Sequence, residues 1–291
     1  MKPETAKKLL KLNHELYEKE AISWDKTRQK LWEWPVIEEL KKIKQGSNIL
    51  DLGCGNARLY EAISRMNNQK SNINYLGIDP SKKLIGINKK RYCYSEQCEQ
   101  SEESQSDPLT SLRMTPKFEV GDGLTLKDKN KYDFVFCLAV LHHIPSEKLQ
   151  LKFLKNIRNS LKKEGKLILS VWNRWQPRYR KYFVFSNHKS QISNYKQITN
   201  FNHQNLKHKF ELDPNDTIVP WKQSGNFRFI HAFTDSELKK LAQKAEFKNI
   251  KTFYGHISRN HPVALVQDDT NKKEKSTKEK GLNIYLNCNK G

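Results

Sequence analysis

Asp51-Leu52-Gly53-Cys54-Gly55-Asn56-Ala57 sets two glycines between a short apolar run and a helical pattern. Glycines there allow a tight turn and let the backbone approach a ligand closely. Asp79 closes the next apolar run, Asn74–Asp79, where a carboxylate can take both hydroxyls of a ribose. Asp122 follows a third run in Val120-Gly121-Asp122-Gly123 and suits the amino group of an adenine. His142-His143 follow a fourth run. A histidine there can pack against a ligand or the backbone, or serve as general base for an oxygen or nitrogen nucleophile. No second cluster at metal-ligand spacing accompanies the pair, and Cys93 and Cys98 lack a partner pair for zinc, so no metal is expected.

The positioning elements are legible around these residues. Asn48–Leu52, Asn74–Asp79, Lys117–Val120, Tyr132–Leu138 and Lys166–Trp172 read as strands. Helical patterns fall between them, with Glu147–Lys162 amphipathic and stopped by Gly165. The alternation predicts a parallel α/β sheet with ligands at the strand C-termini. Thr234–Glu246 is a capped helix, Asn249–Tyr254 a sixth strand, and Val263–Gln267 the expected seventh, in a hairpin with it. Asn283–Cys288 reads either as an added edge strand or as a tail. Residues 1–45 form a helical N-terminal extension to a domain spanning 46–291. Insertions are expected at 92–116 and 173–228, with a solvated charged run at 268–280.

Lys and Arg number 53 against 32 Asp and Glu, a net charge of +21. That excess favours a polyanionic partner, or reflects a general enrichment in Lys. No apolar run is long enough to span a bilayer, so no membrane partner is expected. Five cysteines and no apolar leader point to a reducing compartment, the cytoplasm or nucleus.

The acid-Gly-x-Gly turn, Asp79, Gly121-Asp122 and Leu138-Ala139-Val140-Leu141-His142-His143-Ile144 resemble a class I S-adenosylmethionine-dependent methyltransferase. Ala57 stands where that family often has a third glycine. The resemblance implies a Rossmann-like fold: a mostly parallel seven-stranded sheet with helices on both faces. It places S-adenosyl-L-methionine against Asp51, Gly53, Cys54, Gly55, Asn56, Asp79, Asp122, Gly123 and Leu138.

A narrower resemblance covers most of the chain. Thr27-Arg28, Val140-Leu141-His142-His143, Trp172, Val219-Pro220-Trp221 and Arg228-Phe229-Ile230-His231 are similar to the tRNA methyltransferases that esterify 5-carboxymethyluridine at the wobble position. That family implies tRNA as partner and, in eukaryotes, a small zinc-containing activator. The segments 92–116 and beyond Gln267 depart from its pattern.

Methyl transfer to a carboxylate needs alignment rather than a base, because the acceptor is already an anion. Arg28 and Arg228 are candidates to grip that carboxylate, or are surface or phosphate contacts; His143 sits where strand four meets the methyl donor. Asn173–Phe210 holds eight Lys or Arg, no acid and several aromatics. Arg174, Trp175, Arg178, Tyr179, Arg180 and Lys181 there, with Trp221 and His231, are the RNA-binding candidates, unless the stretch is a basic lid. Two rival readings stay open: a methyltransferase acting on a small molecule or protein, and an inactive RNA-binding module.

Overall fold

The computed structural model describes residues 1–30, 35–66, 73–93, 116–173, 210–221, 224–255 and 283–291. Strands β1 (Asn48–Leu52), β2 (Asn74–Asp79), β3 (Lys117–Val120), β4 (Tyr132–Leu138) and β5 (Leu161–Trp172) lie parallel, in the order β3-β2-β1-β4-β5. The sheet is completed by β8 (Lys248–Gly255) and β9 (Asn283–Asn289), giving seven strands ordered β3-β2-β1-β4-β5-β9-β8. β9 runs antiparallel to both β5 and β8.

Among the described residues the seventh strand of the sheet is Asn283–Asn289; the expected strand at Val263–Gln267 lies outside the described residues. β9 is also no edge: it fills the slot between β5 and β8. Its consecutive side chains are buried on both faces, as an interior strand requires.

The strands alternate between two cores. Leu50, Val135, Cys137, Leu167 and Leu169 face α6 (Glu147–Ser160) and α7 (Asp235–Lys244) through Phe153, Leu154, Ile157, Leu238 and Leu241. Ile49, Phe134, Phe136 and Ile168 face α3 (Val36–Lys41), α4 (Arg58–Arg65) and α5 (Lys82–Tyr92) through Leu40, Leu59, Ile63 and Ile85. Ser146, Ser81 and Thr234 cap α6, α5 and α7, the last with Glu237 in a capping box.

The N-terminal extension docks on a separate unit. β6 (Asp216–Pro220) and β7 (Phe227–His231) form a two-stranded antiparallel ribbon. α1 (Pro3–Lys19) buries Leu9 against Ile218 and Phe229 of that ribbon. Asn13 completes the seam: Phe229 N–H donates to its Oδ1 at 2.8 Å, and its Nδ2 donates to the Phe229 carbonyl at 3.1 Å. α2 (Ala21–Thr27) follows α1 after a single residue. The charged run 268–280 lies outside the described residues, as do residues 94–115 of the first insertion.

Candidate active site

One cavity of about 740 Å³ opens at the C-terminal ends of β1, β2 and β4, a size that suits a small-molecule site. Asp51, Gly53, Cys54, Gly55, Asp79, Asp122, Gly123, Leu138, His142, His143, Arg28 and Arg228 all line it, so residues far apart in sequence converge.

The turn after β1 is built for closeness. Gly53 (φ +77°) and Gly55 (φ +55°) take the left-handed region. A Cβ on Gly53 would fall 2.3 Å from Val140 Cγ2, and one on Gly55 2.6 Å from the Trp24 ring. Gly55 N–H donates to Asp79 Oδ2 at 3.0 Å, and Ser81 N–H to Asp79 Oδ1 at 2.9 Å. Both oxygens of Asp79 are thus aligned by backbone donors, and burial pushes its carboxyl up to about 6. Burial likewise raises Asp51 to about 7, although the Tyr75 hydroxyl donates to it at 2.7 Å. Asp122 accepts from Leu124 N–H at 2.8 Å, which fixes the carboxylate beside the cavity. Asn56 is not a lining residue; its Nδ2 donates to Asp25 Oδ1 and to the Arg28 carbonyl, both at 2.9 Å, pinning α2 to the glycine turn. Arg28 stands on this side, its guanidinium 5.6 Å from the Trp24 ring centroid. Arg58 lines the same end, and burial with the nearby charge of Arg28 lowers it to about 10.

The opposite end is organised around Arg228, which is buried. Its guanidinium carbon lies 4.4 Å from the Trp172 ring and 5.0 Å from the Trp221 ring, held between two aromatic faces. Its Nη1 donates to Tyr17 Oη at 3.3 Å. Tyr17 in turn donates to His143 Nε2 at 2.9 Å, and His143 Nδ1–H donates to the Phe229 carbonyl at 3.2 Å. This chain fixes one tautomer, with burial and the Arg228 charge lowering His143 to about 3. His142 accepts from Trp172 N–H through Nδ1 at 3.4 Å, so its proton sits on Nε2, which has no hydrogen-bond partner among the described residues. Burial, His143 and Arg228 all keep it neutral.

His231 is elsewhere. It is buried between Asp216 Oδ1 at 2.6 Å and Glu237 Oε1 at 2.9 Å, joining β6 to the start of α7, and it does not line the cavity. Trp221 does not line it either; it packs on Arg228 and, edge-on, on Tyr17. Arg174, Trp175, Arg178, Tyr179, Arg180 and Lys181 lie outside the described residues.

The methyltransferase domain family matches residues 24–252. The chain belongs to that family. A tRNA (carboxymethyluridine(34)-5-O)-methyltransferase of Schizosaccharomyces pombe is 27% identical over 234 residues, 80% of this chain and 86% of that protein. One of the same name from Arabidopsis thaliana is 26% identical over 62% of this chain, which spans only 39% of that longer relative. The fold is shared with a SAM-dependent methyltransferase of Methanosarcina mazei: TM-score 0.55, 14% identity, 89% of this chain and 98% of that one.

The cofactor of this methyltransferase domain is S-adenosylmethionine, and the residues present fit it. Asp79, with both oxygens pre-aligned at the end of β2, can accept from two ribose hydroxyls. Asp122 can accept from the adenine amino group, and the glycine turn leaves room for the amino-acid portion beside Arg58. Sequence reasoning missed Tyr17 and Trp24, which have no motif around them; only the helical periodicity of residues 9–17 hinted that α1 has a partner. It also missed Glu18, which accepts from Ser81 Oγ at 2.6 Å and so ties α1 to the Asp79 loop.

Proposed function

We propose that this chain transfers the methyl group of S-adenosylmethionine to the carboxylate of a carboxymethyl-modified wobble uridine in tRNA. The observation that carries this reading is Arg228. It is a buried guanidinium clamped between Trp172 and Trp221 at the cavity wall, with no acid pairing it among the described residues. A buried cation left without an anion calls for one from the ligand. A carboxylate suits it because guanidinium grips that group through two parallel N–H bonds. His142 Nε2–H adds a neutral donor to the same wall. The names of the relatives support the same acceptor.

The residues have modest tasks in such a transfer. Bound S-adenosylmethionine supplies a methyl group on a sulfonium. One carboxylate oxygen forms the new bond to that carbon, and the pair of the broken C–S bond stays on sulfur. Arg228 holds the acceptor, with Arg28, which lines the same cavity, as a second grip. His143 is a positioning residue: its Nε2 accepts a hydrogen bond from the Tyr17 hydroxyl and orients that hydroxyl, whose oxygen accepts from Arg228. The tRNA body is assigned to the basic, aromatic stretch at 174–181. A small zinc-containing activator and a cytoplasmic or nuclear location belong to the same proposal.

The test is a pH–rate profile under saturating, single-turnover conditions. A carboxylate acceptor ionises near pH 4, so the rate should be flat from about pH 6 to 8.5. A rate climbing about tenfold per pH unit would mean deprotonation of a hydroxyl or amine and would overturn the reading. Arg228→Lys should slow transfer by about ten- to a hundredfold, because lysine cannot make the planar fork.

A further inference from the structure

α5 carries a feature that neither the cavity nor the core explains. Its exposed face holds Lys82, Lys83, Lys89 and Lys90, and the helix has no acidic residue. At the centre of that face is Gly86. The four lysines stand at i−4, i−3, i+3 and i+4 from it, the positions that surround a residue on a helix surface. The buried side chains Leu84, Ile85 and Asn88 point the other way.

Glycine in a helix interior is destabilising relative to alanine. Among the described glycines, Gly86 alone has neither a positive φ nor any atom within 4 Å of where its Cβ would stand. Nothing within the fold requires the missing side chain. The result is a shallow, bulk-free dish ringed by four ammonium groups and about 10 Å long from Lys82 to Lys89. Lys82, Lys89 and Lys90 form no ion pair among the described residues; only Lys83 has an acid nearby, Glu18. The same helix borders the cavity through Ser81 and Leu84, on the side away from the dish.

We propose that the Gly86 dish docks the phosphodiester backbone of the RNA acceptor, the glycine admitting the chain close to the helix while the lysines neutralise phosphates. This rests on the tRNA reading above. Backbone contacts of this kind position the nucleic acid and carry no sequence information.

The experiment measures tRNA affinity against salt for the wild-type chain, for a variant with Lys82, Lys83, Lys89 and Lys90 all changed to Gln, and for Gly86→Gln. Each phosphate released flattens the slope of log affinity against log salt by about 0.7 to 0.9, so the four-Gln variant should lose about 1 to 3 units. Gly86→Gln keeps every charge and is a better helix former. It should melt higher than wild type yet bind tRNA at least threefold more weakly, while S-adenosylmethionine affinity stays at the wild-type value in both variants. A wild-type chain that binds no tRNA overturns the dish and the tRNA reading together. Wild-type binding with an unchanged slope in the four-Gln variant, or unchanged affinity in Gly86→Gln, overturns the dish alone. Loss of binding to vesicles of anionic phospholipid in the variants, with tRNA slopes unchanged, overturns it in favour of a membrane surface.

Discussion

At the scale of single residues, the proposed donor site rests on Asp79. Two backbone N–H groups align its oxygens, so a ribose meets a carboxylate already in place. Removing an acceptor of that kind costs about 1.5–3 kcal/mol, so Asp79→Ala should weaken S-adenosylmethionine binding by roughly ten- to a hundredfold in calorimetry. Equal affinity in a folded variant would displace the ribose from β2. Asp51, Gly53, Gly55, Asp79 and Asp122 were legible in sequence because parallel strands set their ligand residues at C-terminal ends, a rule of position. Tyr17 and Trp172 were not legible as partners of Arg228. Tyr17 stands 211 residues from it, and no local pattern signals a stacked guanidinium.

At the scale of elements, α1 is a strut between the two halves of the cavity. Asn13 and Tyr17 bind the β6–β7 ribbon and the loop after β4, and Glu18 binds the loop after β2. The ribbon is itself anchored to α7 by His231. Burial opposes the charged imidazole, but its bonds to Asp216 and Glu237 win and raise it to about 9 from an ordinary 6.5. A group raised on folding stabilises most below its unfolded value, and that stabilisation is lost as pH rises through its folded value. The melting temperature should therefore fall between about pH 6.5 and 9.5, and His231→Gln should flatten that fall. Parallel pH curves for the two proteins would mean that the imidazole is neutral in the fold. Legibility was uneven at this scale. β1 to β5 were marked by turn residues and apolar runs, whereas β9 was split from β8 by residues 256–282, and its pairing depends on partners from β5 that sequence proximity hides.

For the whole molecule, a parallel sheet with one antiparallel strand, β9, carries the proposed donor site at its strand ends, and α1 with its ribbon closes the proposed acceptor end. In the proposed reaction the division of labour is physical: backbone turns and carboxylates for the polar nucleoside, a guanidinium against two indole rings and neutral imidazoles for an anionic acceptor. The central claim, transfer to a carboxylate on tRNA, is tested most directly by mass spectrometry of nucleosides. tRNA carrying 5-carboxymethyluridine at the wobble position is incubated with this chain and methyl-labelled S-adenosylmethionine, with and without the zinc-containing activator. The account predicts one labelled methyl on that nucleoside, released as methanol by mild alkali, as an ester requires. Label on an alkali-stable nucleoside, or no label in either arm, would contradict it.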